Sequence, residues 1–434
     1  METLLRNYLC IMKNRKNNFS FLILYSAFLI LNFSCSTPGN IQNQNLAYLY
    51  QPVKQHFSPE FAVWNFSDDS SRLYVRLNPK EFLYTRSGEN FTANFSIAYR
   101  LVESYENPLV IDSSRKSFSM IKKENSLSAI VTVDFLSNRN IKMLLECRIT
   151  DVNKNVTDVF YLHVDRSSNQ SRNSFLAATV DSVPFFRNFL SAADSFRIIL
   201  RDTSLKQLRV NYYHRPFPLA APPFSFDYYP SFDYLPDSVF TIDVLNYSAH
   251  NFPREGFYHI QRDTLSRNGL TLLRLHDDFP EQTNSKQLIE SVRYLMTRKE
   301  FDELKNSPNP KGAVDKFWLD LGGNADRTRQ LIRRYYSRVQ FANEHFTSYQ
   351  EGWKTDRGMI YIIFGAPHLV YRTSKSELWI YGDVSSSLSL NFTFIKVINP
   401  FTDNDFSLSR APIYESSWYR AVDTWRQGRV FNDN

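Results

Sequence analysis

Residues 351–367 read Glu-Gly-Trp-Lys-Thr-Asp-Arg-Gly-Met-Ile-Tyr-Ile-Ile-Phe-Gly-Ala-Pro. Gly352 permits a tight turn. Trp353 brings a large apolar surface that calls for burial with its N–H satisfied. Asp356 is suited to accept backbone N–H groups in the turn or to pair with Arg357. Upstream, Asn324 starts a long helix that runs to about Phe346. At ~100° per residue, its Leu331, Ile332, Tyr335, Val339, Ala342 and Phe346 share one apolar face. Downstream, Gly358 is expected to admit a strand over Met359–Phe364, ended by Gly365-Ala366-Pro367. A meander over Leu378–Tyr381 and Asn391–Ile398 should follow. The stretch therefore reads as a joint between a long helix and a small antiparallel sheet.

Three shorter helices are expected before it. Asn284 caps one carrying Leu288, Val292, Leu295 and Met296. Thr297 with Glu300 forms a capping box for the second. Ala313, Val314, Phe317, Trp318 and Leu321 mark the third, ended by Gly322-Gly323. Further upstream the apolar period becomes two. It runs through Leu73, Val75 and Leu77, through Phe95, Ile97, Tyr99 and Leu101, and through Leu127, Ala129, Val131, Val133 and Phe135. Polar turns at 87–90, 137–140 and 151–155 separate the runs, as in an antiparallel β-sandwich. The fold class is multidomain β plus α+β. A β-sandwich-like domain is expected over 71–165, a second β-rich domain over 175–278 and an α+β domain over 284–430. Within the second domain, Pro216 to Pro236 holds six prolines and seven aromatics. Proline removes ladder donors, so this segment is a loop: either packed over the sandwich or offering rigid aromatics such as Tyr228, Tyr229 and Tyr234 to a glycan, peptide or protein.

At the N-terminus, Phe19 to Leu31 is apolar apart from two serines and follows Lys13, Arg15 and Lys16. Thirteen residues are too few to span a bilayer, which takes about 20, and the layout is that of a signal peptide. Ser34-Cys35 at its end resembles a bacterial lipoprotein signal. That resemblance implies that residues 1–35 are removed up to a lipidated Cys35, from which 36–70 lead in. No acidic residue directly follows Cys35, which on the same resemblance implies the periplasmic face of the outer membrane. Met12 is an alternative start to Met1. With Cys10 in the signal and Cys35 acylated, Cys147 is left alone and is expected to be a buried, inert thiol on a strand.

Gly352-Trp353-Lys354-Thr355-Asp356 matches the signature that names the GWxTD-domain family. The likeness extends upstream to Tyr335–Asn343, and downstream to Ile360–Pro367, Glu377–Tyr381 and Tyr419–Gly428, covering roughly 285–430. The chain thus resembles lipoproteins and secreted proteins of Bacteroidota-type bacteria. The resemblance implies an architecture and an address rather than a reaction.

Composition narrows the function classes. The net charge is +7, but Arg6, Lys13, Arg15 and Lys16 against Glu2 leave +4 outside the signal, too diffuse for a nucleic-acid binder. Twelve glycines in 434 residues, with only Gly88 between Gly39 and Gly256, argue against a Gly-rich phosphate loop. No His-Glu-x-x-His, paired cysteines or Gly-x-Ser-x-Gly occurs, so no metal or cofactor is expected. Ser119-Met120-Ile121-Lys122 has the Ser-x-x-Lys spacing but lacks companion motifs, and His276-Asp277-Asp278 reads as a solvated turn. Arg327, Arg334 and Arg338 fall along one edge of the long helix's apolar face, Arg329 and Arg333 along the other. They cover the core edge with their stems or hold an anion such as a lipid phosphate or an acidic partner. The favoured expectation is a noncatalytic, lipid-anchored binding or scaffold protein with an envelope protein partner. In it, Gly352, Trp353, Thr355 and Asp356 act structurally. The enzyme alternative is a cell-envelope hydrolase using Asp356 with Glu377 or His368.

Overall fold

The computed structural model describes residues 40–51, 54–123, 126–137, 140–226, 232–245, 248–383 and 389–431. Cys35, Tyr228 and Tyr229 lie outside them.

The alternating runs form a two-sheet sandwich. Strands β1 (Glu60–Trp64), β2 (Ser70–Leu77), β3 (Thr85–Ser87), β4 (Asn90–Val102), β5 (Val110–Ile121), β6 (Ala129–Leu136), β7 (Lys142–Asp151) and β8 (Val156–Asp165) pair antiparallel throughout. One sheet has the order β1-β2-β6. In the other, β5 pairs one edge of β4, β3 and then β7 pair its other edge, and β8 closes the sheet beyond β7. Every second residue of β2 is buried. Leu73, Val75 and Val133 of one sheet meet Ile97, Leu101 and Leu145 of the other, because period-two apolar residues share a face. Cys147 is fully buried in this core, and burial pushes its thiol pKa up to about 12, so it is inert as expected.

The second β-rich region holds β9 (Phe175–Thr179), β10 (Phe189–Leu190), β11 (Phe196–Leu200), β12 (Gln207–Tyr213), β13 (Ser238–Asp243), β14 (Gly256–Gln261) and β15 (Leu270–Arg274). A sheet of order β10-β15-β14-β12-β13 and the pair β11-β9 enclose a core around Phe196, Val210, Ile260 and Leu272.

Then come α1 (Ser285–Ser291), continued by a 3-10 turn over Val292–Leu295, α2 (Arg298–Lys305), α3 (Pro310–Gly322) and α4 (Ala325–Phe346). The capping boxes at Asn284 and Thr297 form as their spacing requires. Gly323, with φ +72°, ends α3 in the left-handed region that glycine adopts freely. After the Gly352–Lys354 turn comes α5 (Asp356–Phe364). It is followed by the antiparallel sheet β16 (Leu369–Arg372), β17 (Ser376–Tyr381), β18 (Leu390–Lys396) and β19 (Phe406–Leu408), and by α6 (Glu415–Arg426).

Two expectations are corrected here. Met359–Phe364 is a helix, not a strand. Thr355 caps it by accepting the Gly358 N–H, and every residue from Arg357 to Phe364 is buried. A fully buried apolar run carries no periodicity with which to tell the two apart. The segment 36–70 is more than a lead-in. Glu60–Trp64 is β1, and residues 41–50 enter the core of the helical domain through Ile41, Leu46 and Tyr50. Val370 N–H donates to Asn45 Oδ1 and Leu46 N–H to Val370 O, extending the edge of β16.

Candidate functional site

The Gly352–Asp356 segment lies in the angle between α4 and α5. A Cβ on Gly352 would sit 1.8 Å from the Ala342 carbonyl oxygen, and one on Gly358 1.9 Å from the Gly352 carbonyl oxygen. Both glycines are therefore set by backbone-to-backbone approach. Gly352 N–H donates to Thr347 Oγ1 (3.0 Å) and Trp353 N–H to Asn343 Oδ1 (3.1 Å). The Thr355 hydroxyl donates to Gly352 O (2.7 Å) while accepting from Gly358 N–H (3.1 Å). Trp353 is 1% exposed. Its indole N–H finds no partner among the described residues, contrary to the expectation that it would.

Asp356 does not pair with its neighbour Arg357. Its Oδ1 and Oδ2 accept a bidentate bond from Arg410 (2.5 and 3.0 Å), and Oδ2 also accepts the Leu408 N–H (2.7 Å). Arg357 turns the other way and reaches Glu377 Oε1 (3.1 Å) and the Asn404 carbonyl (2.8 Å). Its guanidinium lies between the rings of Phe346 and Phe406, 5.1 and 4.1 Å from their centroids. Glu377 is the hub of a buried network. It also meets Arg372 Nε (3.0 Å) and accepts from Tyr50 OH (2.9 Å) and Trp379 Nε1 (3.1 Å). Burial works to raise its pKa, but Arg372, then Arg357, then the two neutral donors outweigh it and hold the carboxyl below its ordinary value. Glu377 is thus held ionised and fully coordinated. His368 is exposed, and its Nδ1 accepts the Gly382 N–H (3.0 Å). Asp356, Glu377 and His368 share no hydrogen bond among the described residues.

The arginines of α4 divide. Arg327 Nε donates to Gly428 O (2.9 Å), capping the end of α6. Arg338 donates to Ile362 O (3.1 Å) and Phe431 O (2.7 Å) and lies over Trp425. These two guanidinium groups are occupied by carbonyls at helix ends, so they do not form the anion site that their spacing suggested. Arg334 is exposed on α4.

The Pro/aromatic loop turns inward. Ala220 N–H donates to Lys354 O (3.0 Å), Arg410 to Ala221 O (3.0 Å) and Ala411 N–H to Pro223 O (3.1 Å), strapping the loop across the Gly352–Asp356 joint. Phe232 and Tyr234 pack on Phe401, Phe217 on Tyr349, and Tyr213 stacks on Phe257. Tyr234 is half-buried in this cluster, so it is not part of an exposed flat platform. Beside the strap lies a cleft of about 720 Å³ lined by Pro216, Phe217, Leu219, Lys286, Trp353 and Lys354. Among the described residues, no three His, Cys, Asp or Glu side chains cluster as metal ligands, and no helix is long and apolar enough to cross a membrane.

Sequence reasoning missed Arg410 and Arg372 as partners of the two carboxylates. Arg410 closes on Asp356 from 54 residues away, and Arg372 meets Glu377 only because the β16–β17 hairpin puts the two in register.

No curated protein matches the chain. Among solved structures, red sea bream transglutaminase aligns at 9% identity over 52% of this chain and 33% of its own, so the match spans about a third of that enzyme. Its TM-score is 0.18, too slight a likeness to bear on fold or activity. The family model of the GWxTD domain matches residues 256–427, beginning at β14 and running to the end of α6. By that match, and by the joint that Gly352, Trp353, Thr355 and Asp356 build, residues 256–427 are a GWxTD domain.

Proposed function

We propose that this protein is a noncatalytic, lipid-anchored binding or scaffold component of the cell envelope. On this reading it is acylated at Cys35, held at the periplasmic face of the outer membrane, and docks an envelope protein. The observation that carries the noncatalytic part is the state of Asp356: both its oxygens are occupied by Arg410 and the Leu408 N–H inside the joint. A general acid or base needs a free oxygen within reach of its substrate. The contact region is the cleft beside Trp353, lined by aromatic and proline side chains together with Lys286 and Lys354. Stiff apolar side chains give contact area at low entropic cost. Two acyl chains suffice for stable anchoring where one does not.

Two measurements test this. Alkyne-palmitate labelling of cells should tag the chain and fail for Cys35→Ala, which should leave the membrane fraction. Labelling that survives the substitution would remove the anchor. A photo-crosslinking residue at Lys286 should capture one defined envelope protein, while the same residue at Lys299 on α2 should not. Capture at neither position would remove the docking surface.

A further inference from the structure

A second cavity, of about 360 Å³, lies where the sandwich, the second β-rich region and the GWxTD sheet meet. Such junctions are where ligand sites commonly form. Its walls come from β1, β8 and β9 on one side and from the β16–β17 turn and the 403–406 segment on the other. Cationic Arg172, Arg187, Arg372 and Lys396 line it against anionic Glu377 and Asp403. Three of these cations are already engaged. Arg372 is held by Glu377, which Arg357 shares; Arg187 pairs with Asp194 (2.7 Å); Lys396 lies 3.4 Å from Asp403, which Lys142 shares at 3.5 Å.

Arg172 differs. Among the described residues its guanidinium has neither an ion-pair nor a hydrogen-bond partner, although its side chain lines the cavity and is accessible within it. His163, on β8, faces the same space, also accessible, with neither ring nitrogen hydrogen-bonded among the described residues. A guanidinium is a fork of five donors matched to the oxygens of a carboxylate or phosphate. Exposed within the cavity, it is free to meet such a ligand without breaking a contact to the protein. The remaining lining is largely apolar and includes the aromatic rings of Phe61, Tyr161, Phe175 and Phe186.

We propose that this cavity is a binding site for a small organic anion, with a phosphate or carboxylate head on Arg172 and His163 and an apolar body against the aromatic walls. The surroundings support the pairing. The Arg172 guanidinium is exposed on the cavity wall, so an incoming anion can pair with it directly. The enclosing walls, and then Lys396, lower the pKa of His163, so its neutral imidazole offers one N–H without adding charge. This site is separate from the cleft beside Trp353 and does not depend on the docking of a protein there.

The test is calorimetric titration of the full chain in detergent, at low ionic strength, with inorganic phosphate, phenyl phosphate and benzoate. Phenyl phosphate or benzoate should bind saturably at one site and more tightly than inorganic phosphate, and whichever binds identifies the head group. Arg172→Gln should weaken that binding about tenfold or more. Arg172→Lys should restore part of it, and Arg201→Gln, on the exposed pair with Asp68, should leave it unchanged. Without ligand, Arg172→Gln should melt close to the wild-type temperature, because the exposed side chain makes no hydrogen bond or ion pair among the described residues. No saturable binding to the wild type, binding indifferent to Arg172→Gln, or a lowered melting temperature in that variant would each overturn the proposal.

Discussion

Asp356→Ala tests the reading of the motif as a structural joint. The carboxylate and Arg410 are 10% and 9% exposed, so the substitution strands a guanidinium where water barely reaches it. Breaking a buried pair in this way costs about 3–5 kcal/mol. The Leu408 N–H loses its acceptor, adding about 1 kcal/mol, and the first turn of α5 loses its only acidic side chain, adding about 0.5 kcal/mol. Arg410 keeps its bond to Ala221 O, which offsets part of the loss. A net destabilisation of about 4 kcal/mol follows. Urea unfolding followed by tryptophan fluorescence is the assay, since five of the six tryptophans (Trp318, Trp353, Trp379, Trp418 and Trp425) lie within the GWxTD domain. With a slope of about 2 kcal/mol per molar, the midpoint should fall by about 2 M. Combining Asp356→Leu with Arg410→Met removes both charges and should recover much of the loss. A single variant that unfolds within about 0.3 M of wild type would refute the reasoning. It would return Asp356 to the pool of residues free for chemistry.

Gly352→Ala drives a methyl into the backbone of α4, whose Ala342 oxygen cannot move cheaply, and should cost at least about 3 kcal/mol in the same assay. Gly88→Ala, where a Cβ meets nothing within 4 Å, should cost only the left-handed backbone strain of about 1 kcal/mol. Asp405 has its pKa raised to about 6, first by burial, with Arg357 opposing and Asp356 adding. Its protonation therefore favours the folded state: the contribution is complete below about pH 4 and lost as pH rises through about 6. Asp405→Asn should be more stable than wild type by about 2–3 kcal/mol at pH 7.5 and equal to it near pH 4, measured by urea midpoints across that range. His259 behaves oppositely. Burial depresses its pKa to about 4, so the stability it lends above about pH 6.5 is lost as pH falls towards 4. NMR titration of its ring should give a midpoint near 4, and one near 6.5 would show that the β14 core is open.

Local chemistry was legible wherever its cause is local. The caps at Asn284, Thr297 and Asn324, the glycine end of α3, the apolar face of α4 and the alternating sandwich strands follow from neighbours a few residues apart. The buried Cys147 follows from the same alternation. The Gly352–Asp356 signature likewise identified its domain from the chain alone.

Tertiary structure decided what depends on distant partners. Whether Met359–Phe364 became helix or strand was settled by burial on all sides, which erases the periodic signal, and by the Thr355 cap. That Asp356 takes Arg410 rather than the adjacent Arg357 was settled by the direction in which α5 leaves the joint. Arg327 and Arg338 lie on the face that the sequence suggested for an anion, yet the ends of α5 and α6 and the chain just beyond them claim their guanidinium groups. Arg172, between the two expected β-rich domains, instead faces a cavity with no hydrogen bond or ion pair among the described residues. A sequence fixes which groups a residue can offer. Which of them are consumed within the fold, and which stay available to a ligand, is set by partners that only the folded chain brings together.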